Sequence, residues 1–173
     1  MALVAVALLV RHRPDGAQRA ETGPPLRPRV AGAVLVAAAL ALTGVSLSRQ
    51  GMAEYFRGEA RAALAANPGE ALVQADRSLR LDPEAIAAYQ IKAAALARFN
   101  EPAAARRALE EATRREPGDF VTWALLGDLA VRTRDLSGAR VFYGRAHALN
   151  PRDASLASLS KDPASASAGI LKP

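Results

Sequence analysis

With 173 residues, the chain can hold one ordinary domain, or a domain with an anchor, but not two full domains. Half of it is hydrophobic yet only 5% is aromatic, and 41 residues are alanine, the best helix former, so an all-β fold is disfavoured; the absence of cysteine excludes disulfides, Cys-ligated metals and thiol catalysis. The net charge of +6 does not indicate nucleic acid, because residues 52–153 set fourteen arginines and Lys92 against fourteen carboxylates, without the one-sided basic surface that phosphate binding requires.

Residues 1–10, MALVAVALLV, are apolar but as a helix reach only about 15 Å, half a bilayer. They read either as the end of a membrane helix whose beginning lies elsewhere or as an apolar segment resting in the interface. Residues 11–29 follow with Arg11, Arg13, Arg19, Arg27 and Arg29, kept irregular by Pro14, Pro24, Pro25 and Pro28. From Val30 to Ser48 no residue is charged, and nineteen residues of helix span roughly 28 Å, the thickness of a hydrocarbon core. Arginines bracket the run on both sides, which predicts a transmembrane helix over 30–48 in contact with the lipid bilayer. Small residues such as Ala33, Ala37 and Ala41 recur at four-residue spacing and suit packing against other transmembrane helices, although Ala-rich composition explains them equally. Five arginines before the run against three in the eighteen residues after it (Arg49, Arg57, Arg61) place 11–29 in the cytoplasm and everything past 48 outside, at a cell membrane.

Beyond the run the chain has a period. Leu-Asp-Pro, Arg-Glu-Pro and Leu-Asn-Pro put Pro83, Pro117 and Pro151 each 34 residues apart, defining units 52–85, 86–119 and 120–153. The third unit carries Trp123, Leu126, Gly127 and Ala130, then Ala139, Tyr143 and Ala146; the second carries Tyr89, Ala93 and Leu96, then Ala105, Leu109 and Ala112. The first unit has Tyr55, Glu59 and Ala62, then Ala71, Ala75 and Ser78. This pattern resembles the tetratricopeptide repeat, with the first unit departing most, at Gly58, Glu59 and Ser78. Its first helix can therefore run straight on from the span. Each unit divides at a breaker (Asn67-Pro68-Gly69, Asn100-Glu101-Pro102, Asp135 to Gly138) where Asn or Asp can cap and Pro fits the first turn. The expectation is an all-α fold: one transmembrane helix, then a short solenoid of three antiparallel helix pairs. Ala71, Ala105 and Ala139 would keep each pair close, while Tyr89, Leu109, Trp123 and Tyr143 would fill gaps between pairs. The last segment, 154–173, promises at most a two-turn helix and a disordered Ser/Ala/Gly-rich tail. It is a weak cap, leaving the final apolar face to a partner or to the membrane part.

No catalytic or metal-ligating constellation is found. His12 and His147 stand alone, the glycines form no phosphate loop, and no cofactor is expected. Arg106, Arg107, Glu110, Glu111, Arg114 and Arg115 read as a solvated strip of four i,i+4 ion pairs. In the tetratricopeptide family, ligand peptides lie on the face formed by the first helix of each pair. The resemblance maps that face onto Phe56 and Ala60, then Gln90, Ala94 and Ala97, then Ala124, Asp128 and Val131, with Arg98 and Arg132 at the edge. The Lys/Asn set with which some members hold a terminal carboxylate is missing. The same face read without a ligand is an inner surface between helices.

The order of segments, with Tyr55 to Ala60 after the span and Tyr143-Gly144-Arg145-Ala146 through Pro151, resembles the C-terminal part of an O-antigen ligase or polymerase-like membrane protein. That resemblance implies a non-catalytic interaction module attached to an envelope glycan transferase whose reactive residues lie in other spans. The alternative is an independent single-span scaffold that assembles envelope proteins.

Overall fold

In the computed structural model, residues 28–166 are described. The apolar segment 1–10, the arginine-rich segment to Arg27 and the tail from Ser167 lie outside the described residues. The described residues form seven helices and no strand: α1 (Pro28–Ala63), α2 (Pro68–Leu81), α3 (Ile86–Arg98), α4 (Pro102–Arg115), α5 (Phe120–Arg132), α6 (Leu136–Leu149) and α7 (Ala154–Lys161). By internal packing the chain divides into two units, residues 1–41 and 42–173.

Helix α1 runs for 36 residues without a break. Its early part is apolar and bare, with Val34, Leu35, Val36 and Leu40 all more than half exposed. Among the described residues it is the one helix long and apolar enough to cross a membrane.

In the second unit the later part of α1 packs against α2, α3 against α4, and α5 against α6. Alanine makes this possible. Ala71, Ala105 and Ala139 are buried to 1% or less, so their helices meet with only a methyl group between backbones. Three apolar clusters follow along the array: Ala60, Ala71, Ala75, Ile91 and Ala95; then Ala93, Leu96, Leu109, Leu126 and Leu129; then Ala130, Tyr143, Ala146 and Leu156. No single pair could bury its apolar face alone, which is why the units stack.

The breakers work by two mechanisms. Asn67 caps α2 by accepting from the Glu70 amide at 3.1 Å, and Pro68 occupies the first turn. Asp135 caps α6 by accepting from the Gly138 amide at 2.9 Å. Asn100 caps nothing. It takes a left-handed φ of 58° to end α3, and Arg134 does the same for α5 at 63°. In both turns the next amide reaches back five residues, Glu101 to Leu96 at 3.0 Å and Asp135 to Ala130 at 2.8 Å, closing the helix end in the manner of a Schellman motif.

Bonds from the Gly138 amide and then the Ser137 hydroxyl hold the Asp135 carboxyl below its ordinary value of 3.8. A carboxyl with a lowered folded-state pKa stabilises the fold above that ordinary value and loses the contribution as pH falls through the folded value. Helical content followed by circular dichroism is expected to fall below about pH 4. In Asp135→Asn, which caps without a titrating group, the part of that fall belonging to α6 is expected to disappear. An unchanged acid profile would dismiss the cap.

Three expectations are corrected. Tyr143 does not reach the preceding pair: it lies inside its own pair, its ring over Gly127, where a Cβ would come within 2.6 Å of the ring, and it shares a cluster with Leu156 of α7. The charged strip on α4 is not four i,i+4 pairs. Of these only Arg115–Glu111 forms, beside an i,i+3 pair, Arg114–Glu111. Arg106 leaves the strip for Asp135 at 3.6 Å and the face of Phe142, while Arg115 covers the ring of Tyr89 and approaches Glu84 at 3.5 Å. Guanidinium groups stacked on aromatic faces keep some hydration while burying their stems, which makes the neighbouring helix a better partner than the next turn. The end of the array is also better covered than expected. Asp153 caps α7, Leu156 is buried, and Leu159 and Ala166 pack on the same cluster. Pro163 is fully buried as well.

Candidate functional site

The first helices of the second and third pairs, α3 and α5, flank a groove whose floor is supplied by Ala105 and Leu109 of α4. Its walls are apolar: Ala93, Ala94 and Ala97 on α3 face Leu125 and Leu129 on α5, and Leu64 closes one end. The space is about 230 Å³, below the few hundred Å³ typical of small-molecule sites. It suits one or two side chains of an extended segment.

Polar groups stand at the rim and each is held. Gln90 donates to Asp119 at 2.8 Å and to the Thr122 hydroxyl at 3.0 Å, tying α3 to the first turn of α5. Asp119 is itself the cap of α5, accepting from the Thr122 amide at 3.1 Å. Arg98 donates to the Ala65 carbonyl at 2.9 Å, and Arg132, 34 residues on, to the Ala97 carbonyl at 3.4 Å. Each arginine thus meets the carbonyl-rich end of the preceding first helix, where the helix dipole favours a cation. Among the described residues neither forms an ion pair with a carboxylate. Asp128, the groove's carboxylate, accepts from the Tyr143 hydroxyl at 2.6 Å. Burial, and then Asp128 itself, push the Tyr143 phenol above its ordinary value of 10.0, so it stays a neutral donor at any physiological pH.

Six of the ten residues mapped from the sequence line this groove: Gln90, Ala94, Ala97, Arg98, Asp128 and Arg132. The other four do not. Ala60 is fully buried against α2 and Val131 is 8% exposed in the core, so neither presents a face. Ala124 packs on the Tyr143 cluster, and Phe56 lies beneath Arg77. Leu125 and Leu129 were missed because one column of the repeat was carried from helix to helix. A groove between two helices is lined by their facing flanks, so α5 presents residues displaced around its circumference from the α3 column; the spacing 125, 128, 129, 132 was the available signal.

A second recess lies over α3 between α2 and α4, with Tyr89, Lys92 and Arg107 among its walls. Its charges largely satisfy each other: Lys92 meets Asp76 at 2.7 Å and Arg114 meets Glu111. No group of three or more His, Asp or Glu could hold a metal ion among the described residues. His12 lies outside them, and His147 has a buried Nδ1 without a hydrogen bond.

Residues 86–129 match the model of the tetratricopeptide repeat family. Among solved structures, the first tetratricopeptide domain of Spaghetti (RPAP3) bound to an HSP90 peptide, SRMEEVD, is similar with a TM-score of 0.60 and 15% identity, covering 71% of this chain and 96% of that one. The NMR structure of the first such domain of human RPAP3 has a TM-score of 0.61 and 18% identity, covering 68% of this chain and 94% of that one. No protein of curated function matches the sequence. The helix pairs therefore share the fold of these tetratricopeptide domains, and residues 86–129 match the repeat itself.

Proposed function

We propose that the chain is a membrane-anchored, non-catalytic interaction module that holds an extended protein segment in the groove between α3 and α5. The observation carrying this reading is the pairing of an apolar floor with two arginines, Arg98 and Arg132, that have no carboxylate of their own. Such a site takes a segment with an apolar side chain for the floor and acidic groups for the rim. The peptide held by the structurally similar Spaghetti domain supports a peptide ligand for this one.

Full-length chain in detergent, titrated with labelled synthetic peptides that alternate carboxylate and branched apolar side chains, tests the reading by fluorescence anisotropy. Each charge-assisted contact is worth about 1.5–3 kcal/mol. The double variant Arg98→Glu/Arg132→Glu is therefore expected to weaken the best peptide by at least about tenfold. Ala97→Trp, which fills the groove without changing charge, should do the same. Unaltered affinity in both would refute the site.

The anchoring reading is supported by the charge-free run at 30–48 and its exposed side chains in α1. The arginine asymmetry around it supports the reading that the repeats lie outside the cytoplasm. We further read the chain as the C-terminal part of an O-antigen ligase or polymerase-like glycan transferase, on the order of its segments; the alternative is a separate single-span scaffold. The native mass of the membrane polypeptide, by immunoblot against residues 86–153, decides between them. A band several times the 18.1 kDa of this chain favours the transferase, and a band at that mass favours the scaffold.

A further inference from the structure

Residues 42–48 belong to the same unit as the repeats, and three of them, Leu42, Val45 and Leu47, are more than 60% exposed. Immediately after them the contacts of α1 with α2 run in opposite directions along the two helices. Arg49 donates to the Leu81 carbonyl at 3.2 Å and the Ser78 hydroxyl to the Ala53 carbonyl at 2.9 Å, while Ala60 meets Ala71 and Ala75. The end of α2 at Leu81 is therefore level with Arg49, the residue at which the apolar run stops.

The next turn lies at the same level. Arg115, at the end of α4, sits 3.5 Å from Glu84 in the turn that follows α2. The turns 81–85 and 116–119 thus form one edge of the array, beside the residue that closes the apolar run. The opposite edge holds the turns at 64–67 and 99–101, where Arg98 meets Ala65. Met52 and Tyr55, one and two turns past Ser48, are 51% and 60% exposed. A large apolar group and an aromatic left bare at this height suit the headgroup layer, where tyrosine is enriched.

We propose that the edge formed by residues 81–85 and 116–119 lies against phospholipid headgroups. This inference rests on the reading of 30–48 as a membrane span. The turns carry Asp82, Glu84, Glu116 and Asp119, matched in number by the flanking Arg49, Arg80, Arg114 and Arg115, so the contact is polar and nearly neutral, in keeping with a zwitterionic surface. Arg98 lies twelve residues up α3, about 18 Å away. That distance exceeds two screening lengths of about 8 Å, so Arg98 acts independently of lipid charge, while the Gln90–Asp119 end of the groove meets the proposed edge.

The chain has no cysteine, so single cysteines report without background. Gly118→Cys sits at the proposed edge, exposed and with open space around a Cβ. Glu101→Cys sits at the opposite edge, exposed and with no side-chain cap to lose. Each full-length variant is labelled with bimane and reconstituted into phosphatidylcholine vesicles containing a headgroup-nitroxide lipid. Quenching at 118 is expected to exceed that at 101 several-fold. Equal quenching in chain that resists alkaline carbonate extraction would overturn this inference and leave the span standing. Extraction of the chain by carbonate would overturn both.

Discussion

Tyr143→Ala is expected to be the most damaging single change in the repeat array. The ring is fully buried, touches the α5 backbone at Gly127, and packs with Ala130, Val131 and Leu156. Truncating a buried aromatic side chain to alanine costs about 3–5 kcal/mol, a large share of the roughly 5–15 kcal/mol that stabilises an ordinary domain. Tyr143→Phe keeps the packing and loses only the bond to an exposed carboxylate, so about 1 kcal/mol is expected. Gly127→Ala tests the same contact from the other side. In an open helix the added methyl would stabilise by roughly 0.5–1 kcal/mol, but here it overlaps a ring that cannot move, and a net loss of about 1–3 kcal/mol is expected. Gly144, with nothing near its Cβ, should show the ordinary gain when changed to alanine. Urea unfolding of the full chain in detergent, followed by the fluorescence of Trp123, the sole tryptophan, reads all four. A stabilising Gly127→Ala would show the ring to be elsewhere.

The second large effect is expected in α1. Val36 and Leu40 lie one turn apart near the middle of the apolar run, and both are bare. Arginine at the centre of a membrane helix costs about 2.5–3.5 kcal/mol on the insertion scale, so Val36→Arg with Leu40→Arg opposes insertion by roughly 5–7 kcal/mol. The double variant is expected to pass from the carbonate-resistant to the extractable fraction. Val141→Arg, at a residue 69% exposed on α6, should leave fractionation unchanged. Continued membrane retention of the double variant would refute the anchoring reading, because a helix held by another protein or by its own fold has no reason to reject arginine in this way.

Much of the architecture was legible in the sequence because it is written locally. Three prolines at one spacing, alanines at matching offsets and breakers between apolar stretches specify helices and turns through neighbours a few residues apart. Even so, the chemistry of one turn was misjudged: Asn100 was grouped with Asn67 as a capping residue, but it stands one position earlier in its turn and takes the left-handed conformation instead. The groove was half legible. Its α3 wall follows from the repeat column, while Leu125 and Leu129 on α5 do not.

By itself the sequence determined that this chain is helical, that it repeats every 34 residues and that one stretch is apolar enough for a bilayer. These are properties of period and composition. Only the tertiary structure decided that Tyr143 fills its own pair, that Arg106 leaves its helix for Asp135 and Phe142 while Arg115 adds the ring of Tyr89 to its pair with Glu111, and that the groove opens on one flank of α5. Each of these depends on the angle and distance at which helices meet. Those are set by the summed contacts of alanines, a glycine and a few large side chains distant in sequence, so no local pattern encodes them.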